Sequence, residues 1–456
     1  MSTINVCLIL LAIIGASVPA CYGLAWIPCL IVIQSLFLES DRVAFSIGPA
    51  DVTASDFAIM VLLGRYVFEI VCGRDVVRDK ALFTAIALYL GVVFSASLFS
   101  SLKFGPPHTI RCFTSCVRLV PEMLIVAMMA NSLKNLTQAR RCAGILFGLL
   151  GVLVAIQFVN FLGARHGFKI GEVQGIERGE LRYFGPVGDS VGFVLLLGYL
   201  LALCYGRLVL AVLVLASIAL TAGLGSMFAA VVATGFFLLF ARQAPAFGGA
   251  VRRLLWAVPA LLFVGLAVGV LFGQTLLAPL LNRAENDGFA HSGEQRLASG
   301  IMAKKMIADN PLTGVGYMGY ERALFHYGGE EFFNPAKLDG STANANNQFL
   351  QTLSDAGLPG ILAFALLMFC ITRRIWLTAQ RGDPFFGPYY LAVFLWVLTM
   401  IFGNLAATWL MPSYIARIMW IVTGSAIAVG RLLAARDSES TAEDAVPQPT
   451  LGLTLA

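Results

Sequence analysis

Residues 190–223 read SVGFVLLLGYLLALCYGRLVLAVLVLASIALTAG, and Arg207 is the single charged residue among them. A membrane-crossing helix needs about 17–25 mostly apolar residues, so this stretch is just long enough for two short helices that meet near Arg207. Over the whole chain, 58% of residues are hydrophobic and only 12% are charged, whereas a soluble protein carries about 25% charged residues. This composition excludes a soluble globular protein, a disordered chain, a nucleic-acid-binding protein and a secreted disulfide scaffold.

Similar apolar runs recur along the chain and predict an all-α, polytopic membrane protein with twelve or thirteen transmembrane helices. The count depends on whether the residues around 19–23 separate two helices or interrupt one. The nine cysteines lie in or beside apolar runs and are interpreted as packing residues, because their spacing fits neither a disulfide framework nor a zinc site. The predicted spans are 4–22, 24–38, 54–72, 81–99, 111–130, 142–163, 190–206, 207–223, 226–241, 253–275, 358–380, 385–404 and 413–434.

Basic residues in alternate short loops predict the orientation, because loops rich in Lys and Arg stay on the cytoplasmic side. The predicted organisation is an N-terminal bundle over 1–275 with an outward loop at 164–189, a large outward loop over 276–357, C-terminal helices over 358–434 and a disordered cytoplasmic tail over 435–456. The basic residues are Arg74, Arg78, Lys80, Lys134, Arg140, Arg141, Arg242, Arg252, Arg253, Arg373, Arg374, Arg381, Arg431 and Arg436.

Two pairs of opposite charges fall inside predicted spans. Arg65 and Glu69 are four residues apart, as are Arg118 and Glu122, and this spacing places each pair on one helix face. Charges in a span usually face the bundle interior or a water-filled cavity. The pairs are therefore either structural and self-neutralising or part of a polar cavity wall.

The stretch Gly314-Val-Gly-Tyr-Met-Gly319 matches the pattern GxGxxG, and Asp339 follows 20 residues later. A dinucleotide site also requires a preceding strand within a βαβ unit, but a proline precedes this stretch and the surrounding sequence is not βαβ. The interpretation is a tight turn that brings the backbone close to another group.

The two outward loops carry many cations in a chain that is otherwise apolar. Arginine outside the basic loops favours an anionic ligand, because its planar guanidinium suits phosphate oxygens. Solvated surface charge is the alternative for any single residue. The outward Arg, Lys and His residues include Arg165, His166, Lys169, Arg178, Arg182, His291, Arg296, Lys304, Lys305, Arg322, His326 and Lys337.

Two stretches in the second half of the chain resemble the core of the O-antigen ligase and O-antigen polymerase superfamily. Residues 310–317 read NPLTGVGY and residues 346–360 read NNQFLQTLSDAGLPG, similar to the family patterns NPLxGxGxG and HNxxLQxxxExGLxG. Arg296, fourteen residues before Asn310, corresponds to an arginine that opens this segment in the family. Residues 182–189, RYFGPVGD, resemble the family's first outward arginine motif.

This resemblance implies an integral-membrane glycosyltransferase with a GT-C-like fold in the bacterial inner membrane. The large loops are expected in the periplasm and the C-terminus in the cytoplasm. The implied donor is an undecaprenyl-diphosphate-linked glycan, used without a metal or another cofactor, and the acceptor is a glycan, lipid A-core or a protein. Other polysaccharide export proteins are further candidate partners.

The resemblance also suggests which residues form the site. Arginines prepositioned at the lipid diphosphate would stabilise the negative charge that develops as the glycosidic bond to phosphate breaks. The predicted catalytic residues are Arg182, Arg296 and Asn346, and the predicted substrate-binding residues are Asn347, Lys304, Tyr317, Arg322, His326, Arg165 and Asp189.

Asn346 stands where the family has a histidine, and asparagine cannot act as a general base. His326, His291, Asp339 and Glu294 are candidate replacements. Alternatively, base assistance is not essential, or the chain is an inactive homologue.

Three functions compete at this stage. The leading one is polymerisation of lipid-linked repeat units into an O-antigen, capsule or exopolysaccharide. The second is a ligase that moves a finished glycan from the same donor onto lipid A-core or a protein. The third is a multi-span transporter. Many transporters contain inverted repeats, and the sequence shows no such signature, which argues against this function.

Overall fold

The structure, a computed structural model, describes residues 43–47, 50–73, 79–163, 166–168, 170, 172–176, 180–185, 191–221, 224–240, 288–328, 344–405, 408 and 414–444. The predicted spans 4–22, 24–38 and 253–275 lie outside these residues.

Helices dominate the described part of the chain. They are α1 (Ala54–Val71), α2 (Lys80–Phe99), α3 (Ser101–Phe104), α4 (Pro106–Ser132), α5 (Leu136–Gly163), α6 (Val191–Cys204), α7 (Leu208–Leu220), α8 (Leu224–Phe240), α9 (Gly288–Asp309), α10 (Tyr320–His326), α11 (Gln348–Ala379), α12 (Phe386–Gly403) and α13 (Tyr414–Asp444).

The prediction of a helical, polytopic membrane protein is confirmed. Six helical segments among the described residues are long and apolar enough to cross a membrane, and α6, α7 and most of α8 are shorter apolar helices. The six segments are Lys80–Phe104, Pro106–Ser132, Leu136–Gly163, Gln348–Ala379, Phe386–Gly403 and Ile415–Glu439.

Two short antiparallel hairpins interrupt the helical pattern, and the sequence did not predict them. Strand β1 (Val43–Ile47) pairs with β2 (Ala50–Thr53) immediately before α1. Strand β3 (Glu172–Ile176) pairs with β4 (Glu180–Gly185) within the first outward loop. The second hairpin is anchored beside α5, where the Asn160 side chain exchanges two hydrogen bonds with the backbone of Ile170, at 2.9 and 2.7 Å.

The core of the bundle is formed by helices that are apolar on all sides. Every residue of α6 is buried, as expected for a helix that is hydrophobic all round. Helix α6 packs against α5, α7, α8 and α12, while α2, α4, α11 and α13 form the neighbouring group. Gly424 of α13 permits a close approach to α4, because a Cβ there would lie 2.5 Å from the Met129 Cβ.

The charges within this core are arranged across helices. Glu122 of α4 forms an ion pair of 2.9 Å with Arg417 of α13, and each side chain is only 2% exposed. The sequence singled out Arg118 as the neighbour of Glu122 but did not single out Arg417. The side chains of Arg65 and Glu69 lie outside the described part of the structure.

Basic loops that are far apart in sequence meet at one end of the bundle. The carboxylate of Asp79, before α2, binds Arg374 near the end of α11. Arg436 of α13 pairs with Asp383 at 3.1 Å, in the loop between α11 and α12. Arg140 of α5 lies over the ring of Phe385 in the same loop, 5.7 Å from its centroid. These contacts agree with the grouping of the loops on one face that the charge pattern predicts.

Two helices are longer than the apolar runs indicate. Helix α11 begins at Gln348, ten residues before the predicted span at 358, and contains a kink at Gly357. Helix α13 continues to Asp444, so residues 435–444, which composition predicts to be disordered, are helical. Both extensions are rich in polar residues, so the length of an apolar run does not predict that the helix continues through them.

Candidate functional site

The two family-like stretches of the sequence pack against each other through their backbones. The amide of Val315 donates to the carbonyl of Ser354 at 2.8 Å, and the amide of Gly316 donates to the carbonyl of Asp355 at 2.9 Å. In return, the amide of Leu358 donates to the carbonyl of Pro311 at 2.8 Å. The turn over 311–319 is therefore joined to the first part of α11 by three backbone hydrogen bonds, and we refer to it as the docked turn.

The kink in α11 makes this exchange possible. In a regular helix the carbonyls of Ser354 and Asp355 would accept from residues 358 and 359, but Pro359 has no N–H to donate. Gly357 adopts φ 65° and ψ −167°, which turns the helix away from those two carbonyls. The two carbonyls accept hydrogen bonds from the turn instead. The Gly-Leu-Pro sequence at 357–359 is therefore the reason that they are available to the turn.

The glycines of the GxGxxG stretch serve close backbone packing. Gly314 and Gly316 have φ of 65° and 97°, values that residues other than glycine rarely adopt. A Cβ on Gly314 would overlap the backbone carbonyl of Asp355, and one on Gly316 would lie 2.9 Å from Cys112 Sγ. The prediction of a tight turn is confirmed by this geometry, and the two sheets described in the structure are both antiparallel hairpins.

Asp355 holds the second half of the turn. Its Oδ2 accepts from the amide of Met318 at 3.1 Å and from Nε2 of Gln351 at 2.9 Å, and the residue is 2% exposed. Sequence analysis did not select Asp355, although it occupies the acidic position of the ExGLxG pattern.

Tyr317 points into the helical bundle, and the residue is 3% exposed. Its amide donates to Ser97 Oγ at 3.1 Å. Burial raises the pKa of its hydroxyl well above the ordinary value, and the nearby Tyr89 and Glu122 act in the same direction. In this structure Tyr317 anchors the turn to α2 and offers little surface to a substrate.

Helix α9 carries two predicted site residues on its exposed side. Arg296 and Lys304 are both exposed. The opposite side of the helix is buried in a small apolar cluster that includes Met302, Val315 and Leu324. The cluster fixes α9 against the docked turn and leaves the two cations outside.

Ser299 links α9 to the segment that precedes α11. Its carbonyl accepts from the Tyr320 hydroxyl at 2.6 Å, and its Oγ accepts from Nδ2 of Asn346 at 3.4 Å. Arg296 lies three residues earlier, one helical turn away. The structure thus brings Arg296 and Asn346, which are 50 positions apart in the sequence, to the same part of the site.

The two adjacent asparagines have different surroundings. Asn346 is half-buried with φ 50°, a left-handed conformation that asparagine tolerates. Asn347 caps α11, with its Oδ1 accepting from the amides of Phe349 and Leu350 at 2.9 and 3.0 Å. Its Nδ2 donates to the carbonyl of Leu405 at 2.8 Å. Asn347 thus has a clear structural role as a helix cap.

Further cations surround the docked turn. Arg322 is exposed, and its guanidinium donates to the carbonyl of Pro107 at 3.3 Å. His326 is also exposed and packs against the ring of Phe104, with centroids 5.4 Å apart. The sequence predicted both as site residues, and the structure places both on α10, immediately after the turn.

Lys103 and Arg111 belong to the same edge and were missed by sequence analysis. The Lys103 ammonium donates to Asn310 Oδ1 at 3.3 Å and to the Tyr327 hydroxyl at 3.0 Å. Arg111 pairs with Glu321 at 3.3 Å. Burial raises the pKa of Glu321, and the positive charges of Arg111 and Arg322 offset this only in part. Both missed residues lie in or beside apolar runs, where the sequence gives no sign that they approach the turn.

The β3–β4 hairpin of the first outward loop is described only through its backbone. Arg182 lies in β4 opposite Gln174, and β4 packs along α5. The side chain of Arg182 and the residues Arg165 and Asp189 lie outside the described part of the structure. Of the candidate bases, Asp339 and the side chains of His291 and Glu294 are outside it as well. Among the described residues, no three His, Cys, Asp or Glu side chains are grouped as a metal site would require.

Comparison with known proteins finds a family match over part of the chain. Residues 191–365 match the O-antigen ligase family, a range that includes α6 to the middle of α11 and both halves of the docked turn. No curated protein matches the chain. The match supports glycan transfer of the O-antigen ligase and polymerase type as the class of activity. Over residues 191–365 the chain is similar to the O-antigen ligase and O-antigen polymerase superfamily, which supports the resemblance drawn from the motifs.

Proposed function

We propose that this protein is a membrane glycosyltransferase that polymerises undecaprenyl-diphosphate-linked repeat units into a surface polysaccharide. The observation that supports this most directly is the convergence of Arg296 and Asn346 through Ser299, beside the docked turn. Lys304 and Arg322 add exposed positive charge in the same region. The proposed site lies on the periplasmic face of the bacterial inner membrane, with the C-terminus in the cytoplasm.

The proposed chemistry is a displacement at the anomeric carbon of the donor glycan. An acceptor hydroxyl forms the new C–O bond while the bond from the anomeric carbon to the diphosphate oxygen breaks. The bonding electrons leave with the lipid diphosphate, and the acceptor proton passes to a base or to water. Arg296, Arg182 and Lys304 would stabilise the charge on the departing diphosphate, which is greater in the transition state than in the bound donor.

Asn346 is proposed to orient the acceptor or a phosphate oxygen, because its amide can donate and accept hydrogen bonds but cannot take a proton. His326 is the candidate base for which the structure describes the side chain. Its exposure next to Arg322 leaves it accessible to an acceptor hydroxyl.

A polymerase and a ligase would share this donor site and differ in the acceptor. We favour the polymerase because of the departure from the family histidine at Asn346 and the polar character of the second outward loop. A lipid-linked chain would then receive each new unit, whereas a ligase would use lipid A-core or a protein.

The proposal can be tested on purified protein in nanodiscs that is supplied with the host's own diphosphate-linked repeat unit. A polymerase produces a ladder of lengthening chains on a gel. Arg296→Ala is expected to slow ladder formation by about 10²–10³-fold, the usual effect of removing one oxyanion-stabilising donor. Arg373→Ala, an exposed arginine at the opposite end of the bundle, is the control and should retain the wild-type rate.

The remaining outcomes are equally specific. Transfer only after addition of lipid A-core or a protein acceptor would establish the ligase and contradict the polymerase. An unchanged rate in Arg296→Ala would remove this residue from the proposed diphosphate site. No transfer with any acceptor, together with arginine-dependent solute uptake in proteoliposomes, would favour the transporter.

A further inference from the structure

A polar cavity lies at the end of the bundle where the described basic loops meet. It has a volume of about 420 Å³ and lies between the start of α2, the end of α11 and the second half of α13. The 32-residue helix α11 begins at the docked turn and ends at this cavity. The cavity is thus separated from the proposed glycan site by the length of a membrane-crossing helix and is independent of it.

Three arginines line the cavity. They are Arg374 and Arg381, at and just beyond the end of α11, and Arg431 of α13, against a single carboxylate from Asp79. The lining residues therefore carry three positive charges and one negative charge, a net charge of +2. A cavity of this size is within the range that holds small ligands, about 300–1,000 Å³.

The arginines differ in how far their charges are already neutralised. Asp79, which is 5% exposed at its side chain, binds Arg374 and fixes its position. Arg381 has a longer contact of 3.8 Å with Asp437. Arg431 is exposed, and its guanidinium forms no ion pair or hydrogen bond with any residue that the structure describes. At least one guanidinium is therefore available to an incoming anion.

The remaining wall is suited to a lipid. Leu377 and Ile427 contribute apolar surface beside the arginines. Thr378 of α11 and Gly430 of α13 also line the cavity, and the two helices lie close together there, because a Cβ at Gly430 would lie 2.9 Å from Thr378 Oγ1. The hydroxyl of Thr378 is already bonded to the carbonyl of Ala426 at 3.0 Å. The lining of the cavity thus combines a close contact between two helices, apolar side chains and three arginines.

We propose that this cavity binds the phosphate group of an anionic phospholipid, with Arg431 and Arg381 as the principal phosphate ligands and Arg374 as a fixed neighbour. Guanidinium groups bind phosphate oxygens through paired, charge-assisted hydrogen bonds. Basic pockets between transmembrane helices at this level of the bilayer are suited to anionic head groups. Arg373 provides an internal contrast, since it is exposed and adjacent in sequence but does not line the cavity.

The test uses the full-length protein, stripped of lipid in neutral detergent, and measures binding of phosphatidylglycerol and phosphatidylcholine by native mass spectrometry. We expect the delipidated wild-type protein to bind phosphatidylglycerol more tightly than phosphatidylcholine. Arg431→Gln should weaken that binding by about tenfold, the loss expected for a hydrogen bond to a charged group. Arg373→Gln changes the net charge equally and should bind phosphatidylglycerol as the wild type does.

Inorganic phosphate at matched ionic strength distinguishes a lipid site from a site for a free anion. Stabilisation of the wild type against heat by phosphatidylglycerol, but not by inorganic phosphate, would support the lipid assignment. Equal stabilisation by both would overturn that assignment in favour of a soluble phosphate. Equal lipid binding by the wild type, Arg431→Gln and Arg381→Gln would overturn the site itself.

Discussion

At the scale of single residues, Gly314 is the position where the docked turn is least tolerant of a side chain. Its φ of 65° disfavours any other residue, and a Cβ would overlap the Asp355 carbonyl. We expect Gly314→Ala to reduce stability by about 3 kcal/mol or more, which combines about 1–2 kcal/mol of left-handed backbone strain with the cost of displacing the start of α11. The measurement is the thermal unfolding midpoint of the purified protein.

Gly328 separates these two effects. It has φ 81°, but a Cβ there would meet nothing within 4 Å. Gly328→Ala should therefore cost only the backbone strain of about 1–2 kcal/mol. If the two variants unfolded at the same temperature, the close approach of the turn to α11 would not contribute to stability.

At the scale of secondary-structure elements, α4 and α13 are joined by a buried ion pair. Glu122 and Arg417 are each 2% exposed, so removal of one partner leaves the other charge buried without this counter-charge. Glu122→Gln or Arg417→Gln is expected to destabilise the protein by about 3–5 kcal/mol, whereas Glu122→Leu combined with Arg417→Leu should recover most of that loss. Thermal unfolding of the three variants measures this.

Arg141→Gln is the control for a change in charge alone, because Arg141 is exposed at the start of α5. It should unfold as the wild type does. A double variant no more stable than the single ones would show that the two helices require the charges themselves, and not only their neutralisation.

The same ion pair shows what the sequence can and cannot predict. Helical spacing directs attention to Arg118 as the neighbour of Glu122, whereas Arg417 is 295 positions away and becomes a partner only through helix packing. Apolar runs locate the helices of the bundle well. They miss the first ten residues of α11, because Gln351 and Asp355 are polar and bond to each other at 2.9 Å within the helix.

The candidate site divides in a similar way. The motifs identify the turn and the start of α11, and the pattern of glycines predicts a tight approach. The sequence does not indicate that the two stretches exchange backbone hydrogen bonds, because that depends on the kink at Gly357. It also assigned Tyr317 to substrate binding, although the side chain anchors the turn inside the bundle. Motif residues thus include structural as well as functional positions.

At the scale of the whole molecule, the basic loops that the structure describes meet at one end of the bundle, and the docked turn lies at the other. Cytoplasmic retention of Lys and Arg predicts that the first end faces the cytoplasm. Ala308 of α9 and Arg141 of α5 are exposed on the two opposite sides. In intact cells, a membrane-impermeant maleimide should therefore label Ala308→Cys, and it should label Arg141→Cys only after the inner membrane is permeabilised. The wild type measures the background from its own cysteines, of which Cys72 is exposed. Labelling of Arg141→Cys but not Ala308→Cys in intact cells would show that the orientation is the reverse of the predicted one. The glycan site would then face the cytoplasm, and this result would contradict the proposed periplasmic polymerisation.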